Sequence, residues 1–169
     1  MSAPEQSYTA TFTVDRPVQE VFDAINDVSG WWSQEIVGVT DQVGREFRYH
    51  YRDVHRCTLR VTELRPARKV AWRVMDNYFN FVQDQTEWKD TEIIFEISDT
   101  ADGAEVRFTH VGLAAQFECY DVCSNAWGSY VRGSLRDLII TGQGQPNPKE
   151  DDDAHAAAAE VGRAERSPA

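Results

Sequence analysis

The sequence of 169 residues contains few cysteines, few basic residues and no long apolar run. Its three cysteines, an odd number, argue against a framework of disulfides and suit a reducing compartment. No segment approaches the roughly 18 consecutive apolar residues of a membrane-spanning helix. Residues 1–6 also lack the basic patch and apolar run of a secretory signal peptide. We therefore expect a cytoplasmic protein with no membrane span.

Basic side chains are outnumbered, because 17 Lys and Arg stand against 28 Asp and Glu and give a formal net charge of −11. Nucleic-acid binding requires Lys and Arg against phosphates, so this balance argues against a nucleic-acid partner. The sequence also lacks a phosphate-binding glycine loop, since Gly142 and Gly144 follow a predicted helix instead of opening one. An acidic surface for a basic protein partner stays open.

Alternating apolar and polar residues predict a sheet of several strands. Residues 8–14 are rich in β-branched residues and alternate, and the segment from Asp15 begins a short helix with Pro17 in its first turn. Six further segments have strand patterns: 35–40, 44–53, 55–64, 70–74, 93–97 and 106–110. One face of these strands is apolar and the other charged, which indicates an antiparallel sheet with one face in solvent. The turn at 99–103 predicts a hairpin between the last two strands.

The apolar period becomes helical over residues 116–141, which predicts one long helix that ends at Gly142. The order strand, helix, several strands and long helix defines an α+β fold with helices packed on one face of the sheet. We predict a single domain over residues 8–147. Residues 1–7 and the acidic, Ala-rich tail over 148–169 are predicted to be disordered.

Aromatic residues make up 11% of the sequence, and several fall on the inward faces of different predicted elements. A bent sheet and one helix do not easily fill the space between them, so we expect a residual hydrophobic cavity there. Buried tyrosine and histidine side chains would supply its few polar groups. The alternative is that these rings simply form the core. The candidate ligand-binding residues are Trp32, Tyr49, Trp72, Phe95, Phe108, His110, Tyr120, Trp127 and Tyr130.

His110 is the most notable titratable residue, because it shares the inward face of the last predicted strand. It is a hydrogen-bonded structural histidine, a ligand contact or a general base, and no nucleophile with a recognisable base accompanies it. Cys119 and Cys123 match no standard zinc spacing, so buried apolar roles are expected, with no metal and no other cofactor. The aromatic segment 77–90 is either a lid over the cavity or an extended strand.

Several stretches carry a resemblance to a known family: 11–25 with Trp31 and Trp32, 91–97, 108–113 and 127–142. They are similar to the START/SRPBCC (helix-grip, birch-allergen-like) superfamily and, within it, to bacterial homologues of the heat-shock-protein-90 ATPase activator. The resemblance covers about residues 8–147. It implies a bent antiparallel sheet wrapped around a long C-terminal helix, with an internal hydrophobic cavity. It carries over no catalytic residues, and we expect no counterpart of the chaperone-binding N-terminal domain of the eukaryotic activator in these 169 residues.

Together these patterns favour a non-catalytic protein that binds an apolar or aromatic small molecule, such as a lipid-like ligand or a metabolite, between the sheet and the C-terminal helix. Two alternatives are left open. One is an enzyme of the cyclase or hydrolase kind that uses His110 as a base, and the other is a chaperone-regulating protein-interaction module. A homodimer and a chaperone partner are also left open by the sequence.

Overall fold

The computed structural model describes residues 7–114 and 117–148, where one sheet packs against several helices. The strands are β1 (Ser7–Val14), β2 (Val37–Gly38), β3 (Glu46–Tyr51), β4 (His55–Arg65), β5 (Lys69–Phe79), β6 (Glu92–Thr100) and β7 (Gly103–Val111). The helical segments are α1 (Val18–Asn26), α2 (Val28–Trp31), α3 (Tyr120–Gly128), a π-helical segment (Ser129–Leu135) and α4 (Arg136–Thr141). The last three follow without interruption and together form the C-terminal helix.

The seven strands lie in the order β1-β7-β6-β5-β4-β3-β2, and each strand is antiparallel to its neighbours. The predicted hairpin is confirmed, since Thr100 of β6 lies opposite Gly103 of β7. The first strand pairs with the last, with Thr11 opposite Arg107. The predicted α+β class, with a bent antiparallel sheet around the C-terminal helix, is confirmed.

Alternation along the strands places one face of the sheet in the core. In β7, Val106, Phe108 and His110 are fully buried while the side chains between them are more exposed. Helix α1 packs against this face and against β5 and β6, burying Val21 and Ile25 completely. Burial of an apolar side chain of this size stabilises a fold by roughly 1.5–3 kcal/mol. The apolar stripe of α1 and the apolar face of the sheet therefore stabilise the fold by packing against each other.

The C-terminal helix begins at Tyr120, and the predicted start at residue 116 lies outside the described residues. It ends at Gly142, as predicted, where a φ of 87° places the backbone in the left-handed region that glycine adopts without strain. The π-helical segment Ser129–Leu135 was not predicted. Such segments are rare and often lie at functional sites.

The start of this helix is held by the loop between β5 and β6, residues 80–91 (the β5–β6 loop). The carboxylate of Glu87 accepts hydrogen bonds from the backbone N–H groups of Glu118 and Cys119 at 2.7 and 3.1 Å. In return, the side chain of Glu118 accepts the N–H of Asp84 at 2.8 Å. A carboxylate at this position satisfies helix donors and opposes the positive end of the helix dipole.

After the helix, residues 142–148 (the return segment) run back along the chain that follows α2. The backbone of Asn147 donates to the oxygen of Trp32 at 3.0 Å and accepts from the N–H of Gln34 at 2.8 Å. Gly144 lies so close to its surroundings that a Cβ atom there would be 2.6 Å from a backbone oxygen. The return segment therefore holds Asn147 in a fixed position beside the C-terminal helix.

The predicted disordered termini fall almost wholly outside the described residues. Ser7 is the first residue of β1 and Pro148 is the last residue described. Of the helices within the described ranges, none combines the length and apolar character needed to cross a bilayer.

Candidate functional site

A cavity of about 180 Å³ lies between one end of the sheet and the C-terminal helix. It opens to the surface beside two apolar side chains, Phe81 and Val122, whose exposed fractions are 41% and 57%. The residues that line it are Trp32, Tyr49, Tyr51, Val54, His55, Phe79, Phe81, Trp88, Val122, Cys123, Ala126, Trp127, Tyr130 and Asn147. They come from the segment that follows α2, from β3, the β3–β4 turn, β4, β5, the β5–β6 loop, the C-terminal helix and the return segment.

Stacked aromatic rings form the inner wall of the cavity. The ring of Trp32 lies almost parallel to that of Tyr49, with centroids 4.2 Å apart, and 5.0 Å from that of Trp127. Trp127 in turn stacks on Trp88 at 5.6 Å. These four rings belong to separate parts of the chain and pack against one another, so they form a continuous apolar wall.

Three polar groups meet at one side of the cavity. The side-chain amide of Asn147 donates to the hydroxyl oxygens of Tyr130 at 2.8 Å and Tyr49 at 3.3 Å, and the two hydroxyls lie 3.4 Å apart. Burial, followed by the neighbouring Tyr130, raises the pKa of Tyr49 well above its usual value. Tyr49 therefore presents a neutral hydroxyl at physiological pH.

His55 is the histidine in the cavity wall. Its Nε2 lies 2.8 Å from Oδ1 of Asn77, whose Nδ2 donates to the backbone oxygen of Gln85 at 3.3 Å. Since Oδ1 can only accept, Nε2 carries the hydrogen and Nδ1 is the acceptor nitrogen of the neutral ring. Burial lowers the pKa of His55 to about 3, so the ring is uncharged near neutral pH.

His110 has both ring nitrogens occupied and lies outside the cavity wall. The indole N–H of Trp127 donates to Nδ1 at 3.0 Å, so Nε2 carries the hydrogen and donates to Oγ1 of Thr91 at 2.8 Å. That hydroxyl donates to the backbone oxygen of Trp88. Burial, and then the nearby His55, lower the pKa of His110 to about 3. This arrangement supports a structural role, in which His110 ties β7 to the C-terminal helix and the β5–β6 loop.

The structure separates the nine sequence-predicted residues into two groups. Four of them line the cavity: Trp32, Tyr49, Trp127 and Tyr130. The other five lie elsewhere: Trp72, Phe95, Phe108 and His110 are fully buried, and Tyr120 is half-buried. The ring of Trp72 shows the reason, because it lies 6.0 Å from Trp32 and 5.3 Å from Phe95. The centre of the sheet is thus filled by rings, and the space left unfilled is at one end.

Three residues that matter at the site were not among the predicted ligand-binding residues. His55 could have been found, because it lies two residues before Cys57 and therefore shares its inward face. Trp88 lies in the β5–β6 loop, where no period assigns a face. Asn147 reaches the site only through the return segment, and no sequence signal indicated that course.

The cysteines are free and buried. Burial raises the pKa of Cys57, and a hydrogen bond with the side chain of Cys123, followed by burial, raises that of Cys119. The raised pKa values leave the thiols of Cys57 and Cys119 protonated, which disfavours metal binding and nucleophilic attack by these two residues. Within residues 7–114 and 117–148, no group of three or more His, Cys, Asp and Glu side chains is placed to hold a metal ion. Cys123 contributes its thiol to the cavity wall as an apolar group.

The bent antiparallel sheet and the C-terminal helix that it surrounds define a helix-grip domain of the SRPBCC superfamily. Residues 15–139 match the family model described as Activator of Hsp90 ATPase homolog 1-like protein, which covers well over half of the chain. The chain belongs to this family, as the sequence resemblance predicted. No curated protein matches it in sequence.

Solved structures agree on the fold. The Aha1 dimer from Colwellia psychrerythraea, solved in solution, aligns with a TM-score of 0.66 at 22% identity, covering 82% of this chain and 98% of that one. DynU16, encoded in the dynemicin biosynthetic locus, aligns with a TM-score of 0.62 at 17% identity, covering 83% of this chain and 49% of that one. CalU16 from Micromonospora echinospora aligns with a TM-score of 0.59 at 17% identity, covering 90% of this chain and 84% of that one. At these identities the likeness shows the fold alone.

Proposed function

We propose that the protein binds a small apolar or aromatic molecule in the cavity between the sheet and the C-terminal helix. The observation that carries this proposal is an unfilled, surface-connected cavity that is walled by stacked rings and lies beside the buried hydrophobic core. Protein interiors are packed to about the density of organic crystals, so a space of this kind loses contacts that a ligand would restore. The exposed Phe81 and Val122 beside the opening favour the entry of an apolar molecule.

The volume of the cavity limits the size of the ligand. Pockets for drug-sized ligands measure roughly 300–1,000 Å³, whereas an apolar cavity of about 150 Å³ holds a single benzene ring. At about 180 Å³, the cavity matches one ring with a small substituent. A long acyl chain or a fused polycyclic molecule would need side chains to move. The ligand class is therefore narrower than the lipid-like range that the sequence left open.

Binding is better supported than catalysis. A general base acts best when its pKa lies near the operating pH. His55 is the histidine in the wall, and burial lowers its pKa to about 3, while Nδ1 of His110 is occupied by the indole of Trp127. Tyr49 has a raised pKa and holds its proton. None of these groups is poised to move a proton at neutral pH, and the role of His110 as a catalytic base is not supported.

The test is binding to the purified protein, followed by tryptophan fluorescence and native mass spectrometry against a library of lipids and aromatic metabolites. Trp32, Trp88 and Trp127 line the cavity, so a bound molecule should change their emission. Ala126→Leu adds three carbon atoms at the wall and should weaken binding by roughly tenfold or more, because the added atoms occupy space that the ligand needs. Asn125→Leu, an exposed neighbour on the same helix, is the matched control and should bind as wild type does. Equal affinity in both variants, or no ligand from the library, would remove the proposal.

A further inference from the structure

The polar corner of the cavity has more donors than acceptors. Each hydrogen of the Asn147 amide is directed to one tyrosine oxygen, which leaves the hydroxyl hydrogens of Tyr49 and Tyr130 to be placed. The two hydroxyls lie 3.4 Å apart, so one of them can donate to the other, but both cannot do so at once. Among residues 7–114 and 117–148, no other acceptor contacts either hydroxyl. At least one O–H group is therefore available to an acceptor inside the cavity.

The cavity wall carries no compensating charge. Within the described residues, the lining includes no Lys, Arg, Asp or Glu, and its only histidine is the neutral His55. A charged ligand would lose its hydration on entering the cavity and would find no opposite charge there. Burying an unpaired charge is strongly unfavourable. The occupant that the wall accepts is therefore uncharged.

We propose that the ligand is an uncharged, single-ring aromatic molecule whose oxygen accepts a hydrogen bond from the hydroxyl pair of Tyr49 and Tyr130. This rests on the proposed function and narrows it to one chemical class. The ring would lie against the indoles of Trp127 and Trp32, and the oxygen would point to the corner where Asn147 fixes both tyrosines. A buried hydroxyl that gains a partner discriminates between ligands more strongly than the apolar wall does.

Three probes of nearly the same planar shape separate the contributions of shape, hydrogen bonding and charge. Acetophenone carries the acceptor oxygen, α-methylstyrene replaces that oxygen with a CH₂ group, and benzoate adds a negative charge. Dissociation constants are measured by fluorescence for the wild type, for Tyr49→Phe, for Tyr130→Phe and for the double variant. Because acetophenone and α-methylstyrene differ in water solubility, the informative quantity is how the ratio of their affinities changes between proteins.

In the double variant we expect acetophenone to bind at least fivefold more weakly, the factor that loss of one buried hydrogen bond gives, and α-methylstyrene to bind within twofold of wild type. Benzoate should not bind the wild type at concentrations that saturate acetophenone. The infrared carbonyl stretch of bound acetophenone should move to lower frequency in the wild type, a measurement that stands even if a variant does not fold.

The outcomes distinguish the two proposals. If neither acetophenone nor α-methylstyrene binds the wild type, the proposed function fails. If both bind, but the tyrosine variants change both affinities alike and the carbonyl frequency is unshifted, only the hydrogen-bonded oxygen is refuted. Benzoate bound as tightly as acetophenone would overturn the requirement for an uncharged ligand.

Discussion

Acidification should destabilise this protein well before its carboxylates are protonated, because two histidines are buried in the uncharged form. His55 and His110 each have a pKa of about 3 in the folded protein, mainly through burial. In the unfolded chain a histidine has a pKa of about 6.5. Below pH 6.5 the unfolded state therefore binds up to two more protons than the native state at these positions, and protons pull the equilibrium towards unfolding.

The size of the effect follows from the two pKa values. The stabilising contribution is complete above about pH 6.5 and is lost progressively as the pH falls towards about 3. Each histidine reduces the free energy of unfolding by up to about 1.4 kcal/mol per pH unit in this window. At pH 5 the loss is about 2 kcal/mol for each ring and about 4 kcal/mol for both, a large share of the roughly 5–15 kcal/mol of a typical domain.

The assay is urea unfolding at several values between pH 7.5 and 5, for the wild type and for His110→Gln. Glutamine can accept from the indole of Trp127 and donate to Thr91, so the variant keeps the hydrogen bonds of His110 but binds no proton. As the pH is lowered, the free energy of unfolding of the variant should fall less steeply than that of the wild type. The two slopes should differ by about 1.4 kcal/mol per pH unit, the value for one proton. All carboxylates are shared by the two proteins and cancel in the difference.

Identical pH slopes in the wild type and in His110→Gln would refute the reasoning for this ring. The same conclusion would follow from NMR if the ring resonances of His55 and His110 titrated near pH 6.5 in the folded protein. Either result would mean that water reaches the histidine rings in solution and that the buried contacts of His110 with Trp127 and Thr91 are open.

The remaining predictions concern the helix and the return segment. Glu87→Ala removes the acceptor for two backbone N–H groups at the helix start and should lower the free energy of unfolding by about 1–2 kcal/mol, measured by urea unfolding; an unchanged value would show that the cap is dispensable. Gly144→Ala places a Cβ 2.6 Å from a backbone oxygen and should lower the thermal midpoint and, by displacing Asn147, the affinity for acetophenone. Gly133→Ala is its counterpart, since nothing lies within 4 Å of the added Cβ, and it should stabilise the helix by about 0.5–1 kcal/mol. Equal effects of the two glycine substitutions would contradict the packing of the return segment.

Most of the strands could be predicted because they have a buried and an exposed face, which gives their sequences an alternating apolar and polar pattern; β2 is the exception, since both of its residues are exposed. The inward direction of Tyr49 followed from this alternation, and that of Trp127 followed from the helical period of residues 116–141. Whether an inward ring fills the core or borders a cavity depends on how far the sheet bends. The spacing of apolar residues in the sequence does not indicate that curvature. For this reason Trp72 and Phe95, equally inward in the sequence, lie in the filled centre of the sheet.

Other features of the site arise from contacts between distant parts of the chain. Asn147 reaches the two tyrosines because the return segment pairs with Ser33 and Gln34, more than 100 residues earlier in the chain. The π-helical segment Ser129–Leu135 widens one part of a helix whose residue pattern is ordinary. Such features are set by packing in the folded state and not by local preference, so a single sequence gives no warning of them.

The most direct test is to locate an apolar probe inside the protein. Isotope-filtered NMR on ¹³C,¹⁵N-labelled protein with unlabelled α-methylstyrene would detect contacts between the probe and individual side chains. We predict nuclear Overhauser effects from the probe to Trp127, Trp88, Phe79 and Tyr130, all in the cavity wall, and their loss in Ala126→Leu. Contacts confined to exposed surface residues, or contacts that persist in Ala126→Leu, would contradict the existence of a ligand-sized cavity between the sheet and the C-terminal helix.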